Sequence, residues 1–242
     1  MAVATVTLPL VSRSAAVGNT SEFRSALAHS VRLVLLLTIP AAIGLIILAE
    51  PIIHLIYQHG RFTQEATIQT AAALRFYAIG LAGYSADKVL APAFYALDKR
   101  HLPMFVSLTS IAVNFSLNWF FTFRLHLGHR GLALSTSVVA ITNFFFLYLM
   151  MRHYTGRLET GALLKTIAKL LVAGIGLAAI CLLALTFFFA RHPHAPDWQN
   201  LLVILITICS GAGIFFGGAY LFRVAEVHDV VNLVRRKFGR GL

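Results

Sequence analysis

The chain has 242 residues, of which 58% are hydrophobic and only 12% charged, and its mean hydropathy is +0.79. Soluble domains are roughly 45–50% apolar and about 25% charged, so too few charges are present to clothe a water-facing surface, and the hydrophobicity also excludes disorder. The net charge of +11 therefore raises the question of which side of a bilayer holds the cations, rather than marking a nucleic-acid footprint.

Residues 1–12 are apolar but too short to cross a membrane, and they lack the basic start and small-residue cleavage site of a signal peptide. They read as the last turns of a helix broken near Pro9. The expectation is a C-terminal part of a longer transporter, with residues 1–24 forming the end of a truncated membrane helix and a cytoplasmic loop. A helix rising 1.5 Å per residue needs about 20 apolar residues to cross a ~30 Å core. Residues 33–49 fall short of that, but extension back to Ser25 through Arg32 makes a full span. In the connection that follows, Pro51 favours a fresh helical turn, Gly60 a tight bend, and Thr63 an N-cap.

Residues 66–97 are long enough to span but carry Arg75, Asp87 and Lys88. Residues 102–123, 131–151, 170–190 and 199–222 contain no Lys, Arg, Asp or Glu. The reading is all-α: a polytopic membrane protein with six transmembrane helices, four within 25–152 and two peripheral ones within 153–223. Residues 224–242 alternate Val/Leu with polar positions and end in a basic cluster, the pattern of an amphipathic cytoplasmic tail held at anionic lipid. Thirteen Lys and Arg flank the spans on the side of the tail and four (Arg61, Arg124, Arg130, Arg191) on the other. The positive-inside rule then puts both ends in the cytoplasm.

Ionisable groups inside spans usually face protein or a water-filled path. Arg32 and Arg75 each lie a few turns from a helix end, where either snorkelling or a direct anion contact is open to them. Asp87 and Lys88 are deeper and point about 100° apart, so Lys88 suits either an anionic headgroup or an ion pair. Pro40 and Pro92 are expected to kink their helices. Asn114 and Asn118 share a helix face, and Ser135 and Thr136 follow in the next span; their oxygens suit a small cation such as sodium, or plain interhelical hydrogen bonding. Gly213 and Gly217 form a GxxxG, and Gly174 and Gly176 are further close-packing signals. Cys181 and Cys209 lie in apolar runs with no zinc or disulfide spacing, and GxSxG, HExxH, P-loop and GxGxxG motifs are absent.

Two segments carry a family resemblance. Leu90-Ala91-Pro92-Ala93-Phe94-Tyr95-Ala96-Leu97-Asp98 with the following Lys99-Arg100-His101-Leu102-Pro103, and the turn Tyr57-Gln58-His59-Gly60-Arg61-Phe62-Thr63, resemble the MurJ/MviN family. The resemblance implies a lipid II flippase of the multidrug/oligosaccharidyl-lipid/polysaccharide exporter superfamily, with fourteen helices in two lobes around a cationic cavity. This chain would supply the second lobe and the two additional helices. It implies transport of an undecaprenyl-pyrophosphate-linked peptidoglycan precursor across the bacterial inner membrane by alternating access, with no bond made or broken. The partners expected are that precursor, membrane lipids and an N-terminal lobe needed for activity; no nucleic acid and no cofactor are expected beyond a coupling cation such as sodium. Lys88 looks like a basic position of the family's tenth helix, and Asn114 and Asn118 resemble its eleventh-helix sodium positions. Lys88, Asp87, Arg32 and Arg75 are thus the candidate substrate residues, and Asn114, Asn118, Ser135 and Thr136 the candidate cation ligands. Other exporters of the superfamily, a membrane-embedded lipid-modifying enzyme using His54, His59 or His101, or a structural helper are the alternative readings.

Overall fold

The computed structural model describes residues 12–14, 17–156, 158–192 and 196–228, and every regular element among them is a helix. The expected helix stub at 1–11, Arg157 and the basic tail from 229 onward lie outside the described residues.

Helix α1 (Thr20–Ile47) begins at Asn19, whose side chain accepts from Glu22 N at 3.2 Å while its amide donates to the Glu22 carboxylate at 3.1 Å. This reciprocal pair satisfies one of the helix's free N–H groups. The helix runs through Pro40 and breaks only at Leu48, after which α2 (Ala49–Tyr57) carries Pro51 in its first turn. Gly60 turns with φ +61°, and Thr63 caps α3 (Gln64–Ala96) by accepting from Ala66 N at 3.2 Å. Pro92 is likewise passed without ending the helix. Then come α4 (His101–Trp119), extended by a π turn at Phe120–Arg124, and α5 (His129–Thr155). Helix α6 (Thr160–Ala184) ends in a second π turn, Leu185–Phe189, and α7 (Asp197–Leu221) follows. The fifth expected span starts at Thr160, ten residues before the charge-free run, because Lys165 and Lys169 ride on exposed and half-buried positions of the same helix.

Five of these seven helices are long and apolar enough to cross a membrane; the exceptions are the nine-residue α2 and, through its polar residues, α3, although at 33 residues it is the longest. The helices pack as a row in the order α4, α5, α3, α1, α6, α7, with α2 set between α3 and α7. Hydrophobic attraction does not join helices in lipid, so close contact must. The tightest approach is that of α3 to α5. A Cβ on Gly80 would stand 2.6 Å from Ser137 Cα, one on Gly83 3.0 Å from Ala140 O, and Ser137 donates to the Phe76 carbonyl at 2.5 Å. Phe23, Leu27, Leu90, Phe94 and Met151 fill the core where α1, α3 and α5 meet. Among the described residues the expected GxxxG does not pack: none lies within 4 Å of a Cβ on Gly213 or Gly217. Gly211, two residues earlier on the same helix, instead meets Leu177 of α6.

Candidate functional site

Helix α3 positions the most polar surface of the row. Tyr77, Tyr84, Lys88 and Tyr95 fall within about 40° of one another at 100° per residue, and all four are exposed. Lys88 Nζ sits 4.8 Å above the Tyr84 ring, a cation–π contact. Tyr84 lies ~30 Å along a helix of ~50 Å, far from either end. Phenol and ammonium groups facing acyl chains at that depth are costly, so this face fits water or protein rather than lipid. Asp87 is rotated toward α5; it is half-buried, and its Oδ1 has no hydrogen-bond partner among the described residues.

The other cations lie elsewhere. Arg75 points to the far side of α3, about 140° from Lys88. Its Nε donates to Ile46 O at 3.2 Å, and Nη2 stands 3.7 Å from the Glu50 carboxylate. Both groups line a cleft of about 630 Å³ between α2, α3 and the α6–α7 connection. Arg32 sits near the middle of α1, ~18 Å from its start. Its Nε pairs with Glu226, which is 1% exposed, and its Nη1 with Glu159 at 3.0 Å. His29 Nδ1 lies 3.9 Å from the same Glu226 carboxylate. This clasp ties α1 to the α5–α6 loop and to the turn after α7. Arg32 thus contacts two carboxylates of its own chain; the four candidate substrate residues occupy three places, and only Asp87 and Lys88 are neighbours.

The amides do meet. Asn118 Nδ2 donates to Asn114 Oδ1 at 2.8 Å, Ser135 Oγ donates to Asn118 Oδ1, and one turn or two further on Ser110 donates to Asn143 at 2.5 Å. Together they make a polar seam between α4 and α5. Thr136 is outside it, exposed and bonded to the Leu132 carbonyl of its own helix. No group of three or more His, Cys, Asp or Glu fit to hold a metal occurs among the described residues.

Two features escaped the residue-by-residue reading. The tyrosine stripe was legible as Tyr77, Tyr84 and Tyr95 at spacings of seven and eleven; both return to one helix face. Glu159 and Glu226 carried no local signal, because their partner Arg32 lies 127 and 194 residues away.

Six long helices, one of them presenting a cationic, tyrosine-lined face at mid-depth, define a multi-pass membrane protein with a polar wall. The family described as "Lipid II flippase MurJ" matches residues 1–196, and the chain belongs to it. Similar proteins, each bearing the name "Probable lipid II flippase MurJ", include that of Bdellovibrio bacteriovorus, 31% identical over 92% of this chain and 42% of the relative. The Rhizobium meliloti protein is 31% identical over 100% of this chain and 44% of its own length, and that of Rickettsia prowazekii 33% over 82% and 39%. The fold is also that of a solved structure titled "Lipid II flippase MurJ, inward closed conformation", with TM-score 0.68, 24% identity, and coverage of 91% of this chain and 42% of that one. The chain therefore spans less than half the length of these relatives.

Proposed function

We propose that this chain acts within a lipid II flippase of the bacterial inner membrane, as one wall of a passage for an undecaprenyl-pyrophosphate-linked peptidoglycan precursor. The exposed Tyr77–Tyr84–Lys88–Tyr95 face carries the reading. Lys88 supplies a cation for the pyrophosphate, and the phenols supply flat faces and hydroxyls for a sugar-bearing group. Asp87, held back toward α5, keeps the local charge from being uniformly positive. Arg75 and Arg32 stand outside this wall. Alternating access needs no bond made or broken, which suits a site without a nucleophile–base pair.

The α4–α5 seam serves as interhelical glue in this account. Asn114, Asn118 and Ser135 bond to one another across it, and transport by a protein carrying this chain is expected to be insensitive to replacing sodium with potassium.

The test is a chimera: the Rhizobium meliloti relative with its matching 44% replaced by this chain, expressed in cells depleted of their own flippase. Growth and outward movement of labelled lipid II are expected, with roughly tenfold loss on Lys88→Glu, about the cost of one poorly placed charge. A chimera that reaches the membrane and moves no precursor contradicts the function. Full activity in the Lys88→Glu chimera contradicts the wall.

A further inference from the structure

A second polar site lies away from the tyrosine face. Glu50 and His54 stand four apart on one side of α2, and Gln58, the residue just past its end, lines the same cleft. That side faces Arg75 and Gln64 of α3, with Asn200 of α7 and His192 completing the polar lining. Leu185 and Phe189 of the α6 π turn give the cleft an apolar wall. Gln58 donates to Gln64 at 2.8 Å and accepts from Thr67 at 2.8 Å, which orders the rim.

The floor holds opposite charges side by side. Glu50 and Arg75 approach to 3.7 Å with side chains 44% and 41% exposed. Such an open pair holds together weakly, and a ligand bearing both charges can replace it with two pairs. Depth sets the kind of ligand. Helix α3 is ~50 Å long against a ~30 Å hydrocarbon core, so it overhangs by ~10 Å at each end when centred. The Arg75 backbone, ~17 Å from the helix start, then lies ~7 Å inside the hydrocarbon boundary, a depth from which its long side chain can snorkel toward the phosphate level. A volume of about 630 Å³ suits a headgroup with its glycerol end.

We propose that this cleft binds a zwitterionic aminophospholipid, its phosphate on Arg75, its ammonium on Glu50 and its glycerol end against Leu185 and Phe189. The lipid would join Arg75 of α3 to the α6–α7 pair, beside the direct packing of α2 on α7. This site is independent of the transport reading.

The test uses the 242-residue chain purified from mixed micelles holding equal phosphatidylethanolamine and phosphatidylglycerol, with retained lipid counted by native mass spectrometry. Enrichment of phosphatidylethanolamine is expected on the wild-type chain, falling roughly fivefold in Glu50→Gln, the scale of one half-exposed charge pair. Equal retention of the two lipids by the wild-type chain overturns the proposal, whatever the variant does. So does unchanged enrichment in a Glu50→Gln protein with wild-type helical circular dichroism. Soluble phosphoethanolamine separates the sources: no thermal stabilisation by it is expected beside a clear stabilisation by the lipid, and equal stabilisation by both overturns the assignment to a lipid.

Discussion

Helices α3 to α5 and the pair α6–α7 are all long helices of one row but spend their polar residues differently. The first group carries Asp87, Lys88, the exposed Tyr77 and Tyr84 and the Asn114–Asn118–Ser135 seam in its interior turns, with Tyr95 in the last turn of α3. The interior turns of α6 and α7 are nearly all apolar; Thr207 and Ser210 turn their hydroxyls back onto their own helix carbonyls. In a bilayer an unshared polar group is the exception that needs a reason. On the proposed function the contrast separates a wet wall from a lipid-facing prop, although both are helices in one row.

The largest way to disturb that division is to cut what welds its parts. Arg32→Ala leaves Glu226 buried without its guanidinium, and a drop in stability of about 3–5 kcal/mol is expected, read by thermal unfolding in detergent. Glu226→Leu added to Arg32→Ala is expected to recover most of it; no recovery shows that Arg32 matters through something other than the clasp. Next comes close packing in the polar group. Gly80→Ile drives a side chain into Ser137 and is expected to cost about 1–3 kcal/mol, whereas Gly213→Ile, in open space, is expected to change stability negligibly. The smallest effect belongs to the seam: Asn143→Ala removes its bond with Ser110 for about 0.6 kcal/mol, the usual scale for membrane hydrogen bonds. A much larger loss would mean that the seam does more than hold α4 to α5.

The architecture was readable because charge-free runs of about 20 residues have few alternatives to spanning helices. The cap at Thr63 and the helical turn at Pro51 were readable for a similarly local reason. Lys88 stood out as a charge within a span, yet its setting came from rotation: only the helix phase shows that Tyr77, Tyr84 and Tyr95 share its side while Arg75 faces away. Arg32 looked like a cavity cation because its two carboxylates arrive from distant loops. The GxxxG at Gly213 and Gly217 misled, since which face of α7 meets α6 depends on the neighbour and not on the motif.

The central claim is that the Tyr84–Lys88 face looks onto water at mid-membrane while the exposed faces of α6 and α7 look onto lipid. It is tested most directly in the active chimera, with Cys181 and Cys209 replaced by alanine and a single cysteine placed at Tyr84 or at Ile175, which is 68% exposed on α6. Reaction with a membrane-impermeant maleimide is expected at position 84 and not at position 175. Labelling of both positions at the same rate, or of neither, contradicts the account.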